Sequence, residues 1–284
     1  MPILAKHGKI QEAVGKNKKH VNQEYSLSKK GKDIKEGTQK SRILSVVSFS
    51  FFAVSLSLSI FLITFTIIYF YSSVEGGSMM LTLNPDFNGT AESETDSVLV
   101  NRHKSANRGD IIIVRFYNSN GKMQNSNGER FDFHIKRLIA VGGDTMYVER
   151  TQTSPERYTI HLNGLPLVES YIASEFSHNR NLLEIWRALN NNTYIYSWLN
   201  LDTNQTNPGF RKWIDDHSRF EIVIPHGFIF YLGDNRAAST DSSSYGPKPV
   251  QNIAGVATTI IRDNQSLPQY LWNRFVYYIT FRWV

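Results

Sequence analysis

Polar and apolar positions divide the chain into three stretches. Residues 1–42 are rich in lysine, in runs such as KNKKH (16–20) and KKGKDIK (29–35), with almost no large apolar side chain. Such a segment buries too little surface to offset the entropy of ordering, and the pattern predicts a disordered tail. Residues 43–74 then run for 32 positions without a charged residue. A helix of about 20 apolar residues is enough to cross a bilayer core. Serines between positions 45 and 59 dilute the first half, but a helical serine can bond back to a carbonyl one turn earlier. Tyr69 and Tyr71 suit a membrane interface. From residue 75 onward, short apolar runs alternate with turn formers. They predict strands at 96–100, 110–116, 131–141, 158–168, 220–232 and 253–261. Asn163-Gly164 marks a hairpin, and Pro225-His226-Gly227 splits the run around it. Residues 88–95 and 118–127 read as polar loops. Residues 170–217 are polar and aromatic, with one helix expected at 181–189, and read as an insertion on a β scaffold. The last stretch, YLWNRFVYYITFRWV (270–284), is interrupted by Arg274 and Arg282 and is too short to span. It fits an interfacial segment or a strand closing a β domain.

Charge sharpens this division. The formal net charge is +6, but residues 1–42 carry 11 Lys+Arg against 4 Asp+Glu, while the other 242 residues carry 20 against 21. The basic character belongs to the tail, so a nucleic-acid partner is not expected. A basic flank before an uncharged span places residues 1–42 in the cytoplasm and residues 75–284 outside it. A cleaved leader has a short basic start and about 7–15 apolar residues, so an uncleaved anchor fits better here. The absence of cysteine excludes disulfides, thiolate metal sites and cysteine nucleophiles. None of the eight histidines lies in an H-E-x-x-H pattern. No metal or other cofactor is expected.

Three segments carry candidate chemistry. EGGSMM (75–80) follows the span and sets Ser78 beside glycines that free the backbone to approach a substrate. FDFHIKRLIA (131–140) alternates faces as a strand. Arg137 then shares a face with Phe131, Phe133, Ile135 and Ile139, where it needs a carboxylate partner. Lys136 lies on the opposite face and could act as a base only if desolvation lowered its pKa by several units. LGDNRAASTD (232–241) is dense in turn formers, and offers Asp234 as a partner for Arg137 and Ser239 as a hydroxyl near Lys136.

Together these segments resemble the boxes of bacterial type I signal peptidases, which are membrane-anchored serine/lysine peptidases. GGSMMLTL (76–83) is similar to the family's G-x-S-M-x-P-T-L, with Leu81 in place of proline. GDIIIV (109–114) is similar to G-D-I-V-V-x. KRLIAVGGD (136–144) is similar to K-R-x-x-G-x-P-G-D, departing at Ala140 and Gly142. GDNRAASTDS (233–242) is similar to the final box, with Ser243 in place of its closing arginine. The resemblance implies a mainly β fold: a transmembrane helix, then a Greek-key-like catalytic core with an inserted β cap. Its expected divisions are 1–42 tail, 43–74 anchor, 75–150 and 220–284 catalytic core, and 151–219 cap. It implies Ser78 as nucleophile and Lys136 as general base, with Ser239 orienting the amine. Asp234 with Arg137 would brace the site, and Asp241 would bond within its own box. The family's side-chain oxyanion donor has no counterpart at Gly76, which leaves the Ser78 backbone N–H. The implied partners are exported preproteins bearing signal peptides, membrane lipid and the neighbourhood of the secretion translocon. A non-catalytic, peptide-binding relative is the alternative reading, motivated by Leu81, Gly142 and Ser243. A cytoplasmic self-cleaving repressor shares the Ser–Lys chemistry, but the span disfavours it.

Overall fold

The structure, a computed structural model, describes residues 3–89, 96–153, 156–172, 180–190, 211–214, 219–262 and 265–281. Two compact units meet in sequence between Phe65 and Thr66. Helix α1 occupies Ile3–Ile68, and its Thr38–Ile68 portion is long and apolar enough to cross a membrane. Ser45, Ser50, Ser57, Ser59 and Thr64 each donate to the carbonyl four residues earlier, at 2.8–3.0 Å, so their hydroxyls are satisfied within the helix. Two expectations change here. The basic tail is helical rather than disordered: lysine, glutamine and glutamate are good helix formers, and extending a formed helix costs less than nucleating one. The uncharged stretch also does not stay helical to residue 74. It ends at Ile68, and Tyr69–Ser73 forms strand β1, whose aromatic and β-compatible residues pair with the next strand.

The remaining strands are β2 (Ser97–Asn101), β3 (Ile111–Tyr117), β4 (Met123–Gln124), β5 (Arg130–Val141), β6 (Thr145–Thr153), β7 (Glu156–Leu162), β8 (Leu165–Pro166), β9 (Arg211–Ile214), β10 (Arg219–Val223), β11 (Phe228–Leu232), β12 (Lys248–Pro249) and β13 (Ile253–Ile261). Among the described residues they make two antiparallel sheets. The larger runs β1-β2-β13-β3-β5-β11-β12, with β4 also on β5. The smaller runs β8-β7-β6-β10-β9. In β3 and β11 the apolar residues are buried on both faces. Ile112, Val114, Ile229 and Tyr231 pack into one core, while Ile113 faces a second and Phe230 and Leu232 a third. This two-sided burial explains the unbroken apolar runs in these strands.

The β7–β8 hairpin turns at Asn163 (φ 52°) and Gly164 (φ 82°), the two left-handed residues a type I′ turn requires. The β5–β6 turn needs Gly143 at φ 92°, and a Cβ on Gly142 would lie 2.9 Å from His226 Cα, so this turn packs against the one at 225–227. Helix α2 (Arg180–Asn190) falls where a helix is expected. It buries Leu182, Ile185, Ala188 and Leu189 against the smaller sheet, at about 1.5–3 kcal/mol for each large side chain. Residues 88–89 fall in the expected loop, and 90–95 lie outside the described residues, as does most of 191–218. The expected loop 118–127 contains the short strand β4. Helix α3 is the single turn Ser242–Tyr245. The final segment is helix α4 (Leu267–Phe281), not a strand. Ser266 Oγ caps it by accepting from Gln269 N, and Pro268 sits in its first turn, where no N–H is missed. The last strand before it, β13, already has β2 and β3 on its two edges.

Candidate active site

The segment from Val74 to Asn84 is held from below by its own apolar residues. Met79 and Leu83 are fully buried among Val74, Val98, Val100, Ile113 and Ile135. Leu83 N donates to Met79 O at 2.8 Å, so the segment is a tight turn that presents Ser78. Gly76 is left-handed (φ 78°), and so is Leu81 (φ 74°), a backbone that a proline fixed near −65° cannot adopt. The residue that closes this loop stands outside the three segments singled out in the sequence. Asn84, 1% exposed, donates its Nδ2 to Val74 O (2.8 Å) and Gly76 O (3.1 Å). It also exchanges hydrogen bonds with buried Asp96, which Arg262 neutralises at 2.6 Å. The signal that could have found it is the Asn84-Pro85 pair, a turn dipeptide.

Lys136 comes from β5, the strand between β3 and β11, and both of its faces are covered there. Its Nζ lies 2.8 Å from Ser78 Oγ and donates to Ile135 O at 3.0 Å. Only 4% of the residue is exposed. Burial pushes the amine down from the usual 10.5 to about 8, while Asp241 and Asp234 pull it partly back. His134 lies two residues earlier on the same face and stacks on Phe116 at 4.7 Å. Burial, aided by the Lys136 charge, lowers it to about 4, so this imidazole stays neutral near pH 7. Hydroxyl and amine thus stand within hydrogen-bond reach, the arrangement that a lysine-activated serine would require.

Arg137 points to the other face. Its Nε and Nη2 reach Asp234 Oδ1 and Oδ2 at 2.8 and 2.6 Å, a bidentate pair in which Asp234 is 1% exposed. Nη1 donates to Gly109 O at 2.7 Å, Thr82 hydrogen-bonds the same carboxylate, and Tyr171 lies 3.8 Å from the guanidinium. The box that follows β11 grips the serine loop directly. Asn235 N donates to Ser78 O (3.1 Å), and its Nδ2 to Gly77 O (3.0 Å). A Cβ on Gly233 would lie 2.2 Å from Ser239 Oγ and 2.4 Å from Ser78 O, so only glycine lets these segments meet. Ser239 therefore reaches the wall of the site. Its Oγ is buried without a hydrogen-bond partner among the described residues, so the expected bond to the Lys136 amine is not made in this state. Asp241 is fully buried and accepts from Gly233 N and Ser243 N, both in its own box, and from Asn181 on α2. Arg236, also fully buried, pairs with Glu169, a residue that nothing in the sequence pattern singled out.

The model of a family described as signal peptidase, peptidase S26, matches residues 43–261. Signal peptidase I of Aquifex aeolicus is 28% identical over 171 residues, which cover 54% of this chain and 62% of that one. Probable thylakoidal processing peptidase 2 of Arabidopsis thaliana is 45% identical over 40 residues, 14% of this chain and 11% of that one. The match therefore spans less than two thirds of either relative. Signal peptidase I of Streptococcus pneumoniae is 24% identical over 67% of this chain and 81% of its own. A crystal structure of signal peptidase I from Enterococcus faecalis aligns over 55% of this chain and 98% of its own, at 23% identity and a TM-score of 0.30. With more than half of its length matched by that family, this chain belongs to the signal peptidases of peptidase family S26.

Proposed function

We propose that this protein is a membrane-anchored serine endopeptidase that removes signal peptides from exported preproteins. The observation that carries this reading is the 2.8 Å approach of the buried Lys136 amine to Ser78 Oγ. Unprotonated Lys136 takes the hydroxyl proton as Ser78 Oγ attacks the scissile carbonyl carbon. The resulting oxyanion sits at the Ser78 N–H. The amine then returns the proton to the leaving nitrogen, which leaves an ester on Ser78 and frees the mature chain. Water, deprotonated by the same amine, hydrolyses the ester and restores both residues. Ser239 Oγ, which has no hydrogen-bond partner among the described residues and lies against Gly233, would hydrogen-bond the amine once substrate excludes water, as catalytic contacts often tighten only in the complex. Asp234, Arg137 and Asp241 hold these segments together and take no part in proton transfer.

Substrates of this class carry small residues before the cleaved bond. The basic tail puts residues 1–42 in the cytoplasm and the β unit outside, where cleavage sites emerge near the translocon. Helix α4 supports a lipid contact: Leu271, Trp272 and Val276 are exposed. Tyr71, on the strand that directly follows α1 in sequence, donates to Gln265 O at 3.0 Å, just before the start of α4. The test of function is cleavage of a preprotein by purified full-length chain beside Ser78→Ala. Wild type should release the mature protein and Ser78→Ala should not; equal processing by both sinks the reading.

A further inference from the structure

Ser239 sits on a short loop between two fully buried anchors, Arg236 and Asp241, while Ala237, Ala238 and Thr240 between them are exposed. A loop so exposed needs a brace from outside if its one inward hydroxyl is to stay against Gly233. That brace comes from helix α2 in the inserted region. Asn181 is 1% exposed and stands in the first turn of α2. Its Nδ2 donates to Ser239 O at 3.1 Å and to Asp241 Oδ2 at 2.8 Å. Its backbone N, a first-turn donor without an intrahelical partner, donates to Arg236 O at 3.1 Å. One residue thus binds the loop at both ends and at its centre. The Asp241 carboxylate needs this. It is fully buried, its donors are Gly233 N, Ser243 N and Asn181 Nδ2, and position 243, next to its helix cap, is a serine rather than a cation.

We infer that Asn181 is a positioning residue of the site: its amide ties Ser239 O to Asp241, and so keeps the Ser239 hydroxyl in the wall beside Ser78 and Lys136. The inserted region then contributes to the catalytic geometry as well as covering the core. This inference rests on the proposed Ser–Lys reading, and it adds an element that the boxes around Ser78, Lys136 and Asp241 do not contain. Asp241 and Asp234 are the charges that raise the Lys136 amine, and His134 is the neighbouring titratable group on its own strand. When Asn181 no longer donates, the loop opens, water reaches the amine, and proton affinity returns toward that of a free lysine.

Full-length Asn181→Leu, similar in branched shape but unable to donate, tests this beside Glu184→Ala. Glu184 lies on the same helix and contacts Ser244 at 3.2 Å, but touches neither Ser239 nor Asp241. Asn181→Leu should lower kcat about tenfold at unchanged KM, and move the rising limb of the pH–rate profile upward by about half a unit or more. Glu184→Ala should lower thermal stability but leave the profile in place. The Lys136 amine titration, followed by NMR on isotopically labelled lysine in detergent, should shift in the same direction. That readout does not depend on turnover, so an inactive wild type would overturn the peptidase reading while still testing the position of Asn181. If the leucine variant does not fold, Asn181→Ser removes the amide with a polar group kept in place, and the same shifts are expected. An unmoved profile and an unmoved lysine titration in a folded variant would overturn the inference.

Discussion

Lys136 is 4% exposed, and an ammonium held there is costly. Burial lowers its pKa from 10.5 to about 8. Between those values the folded chain binds fewer protons than the unfolded one, so stability rises with pH across that window. Below about pH 8 the whole penalty, about 3 kcal/mol, is present. Lys136→Met removes it, so this variant should resist urea better than wild type at neutral pH and lose that advantage as pH approaches 10.5. A wild-type advantage at neutral pH would contradict this. On the proposed Ser–Lys chemistry the same proton would govern rate, and kcat/KM should climb with a midpoint near pH 8. Lys136→Arg should be inactive at every pH, because guanidinium keeps its proton. Arg137 and Asp234 make the second residue-scale case. Their bidentate contact is buried, so Arg137→Leu or Asp234→Asn should each cost about 3–5 kcal/mol, and both together clearly less than the sum. A double-mutant cycle by thermal unfolding checks it; additive losses would mean that the two do not act as a pair.

At the scale of elements, the site depends on the approach of the β11–α3 loop to the Ser78 loop. Gly233 is the point of contact, with Ser78 O and Ser239 on the two sides of its absent Cβ. Gly233→Ala forces backbone apart, since Ser78 O would lie 2.4 Å from the new methyl. A displacement of about 1 Å can cost about a hundredfold in rate, so the expected result is a loss of that order in kcat with the β sheets still folded. Circular dichroism beside a preprotein cleavage assay measures both. Unchanged kcat would show that the two loops can separate without harm. The register of β5 sets the other half of this geometry. Lys136 pairs across from Ile112, and Arg137 across from both Ile111 and Leu232, so a slip of one residue would exchange the faces of these two side chains.

For the whole molecule, the claim open to test is orientation. The basic residues concentrate in the first 42 positions, the N-terminal part of α1, whereas the rest of the chain is nearly neutral. Protease added to intact spheroplasts should digest the β unit and spare an epitope on the tail. Protection of the β unit would reverse the topology. Helix α4 bears on the same geometry, because the Tyr71–Gln265 bond joins its start to the first strand after α1.

Ser78, Lys136 and the 233–242 box could be picked out in the sequence because their segments, taken together and in order, resemble the boxes of a known family; each segment alone reads equally well as an ordinary turn or strand. The strands β2, β3, β11 and β13 were legible too as short apolar runs, and β5 from its alternation of faces. The hairpin at Asn163-Gly164 was fixed by turn chemistry. Tertiary structure decided the rest. Nothing local separates Tyr69–Ser73 from the apolar span before it; only pairing with β2 makes it a strand. Strand β6 went unread because its second half, from Glu149, is exposed and carries no apolar alternation. The C-terminal segment is a helix, and β13 before it has a partner on each edge. Asn181 and Glu169 carry no motif and Asn84 only a turn dipeptide, and their roles come from partners 8 to 67 residues away in sequence. The depressed Lys136 amine was a condition that the sequence could state but not meet. Desolvation is supplied by the strands and loops packed around it, and no spacing encodes that.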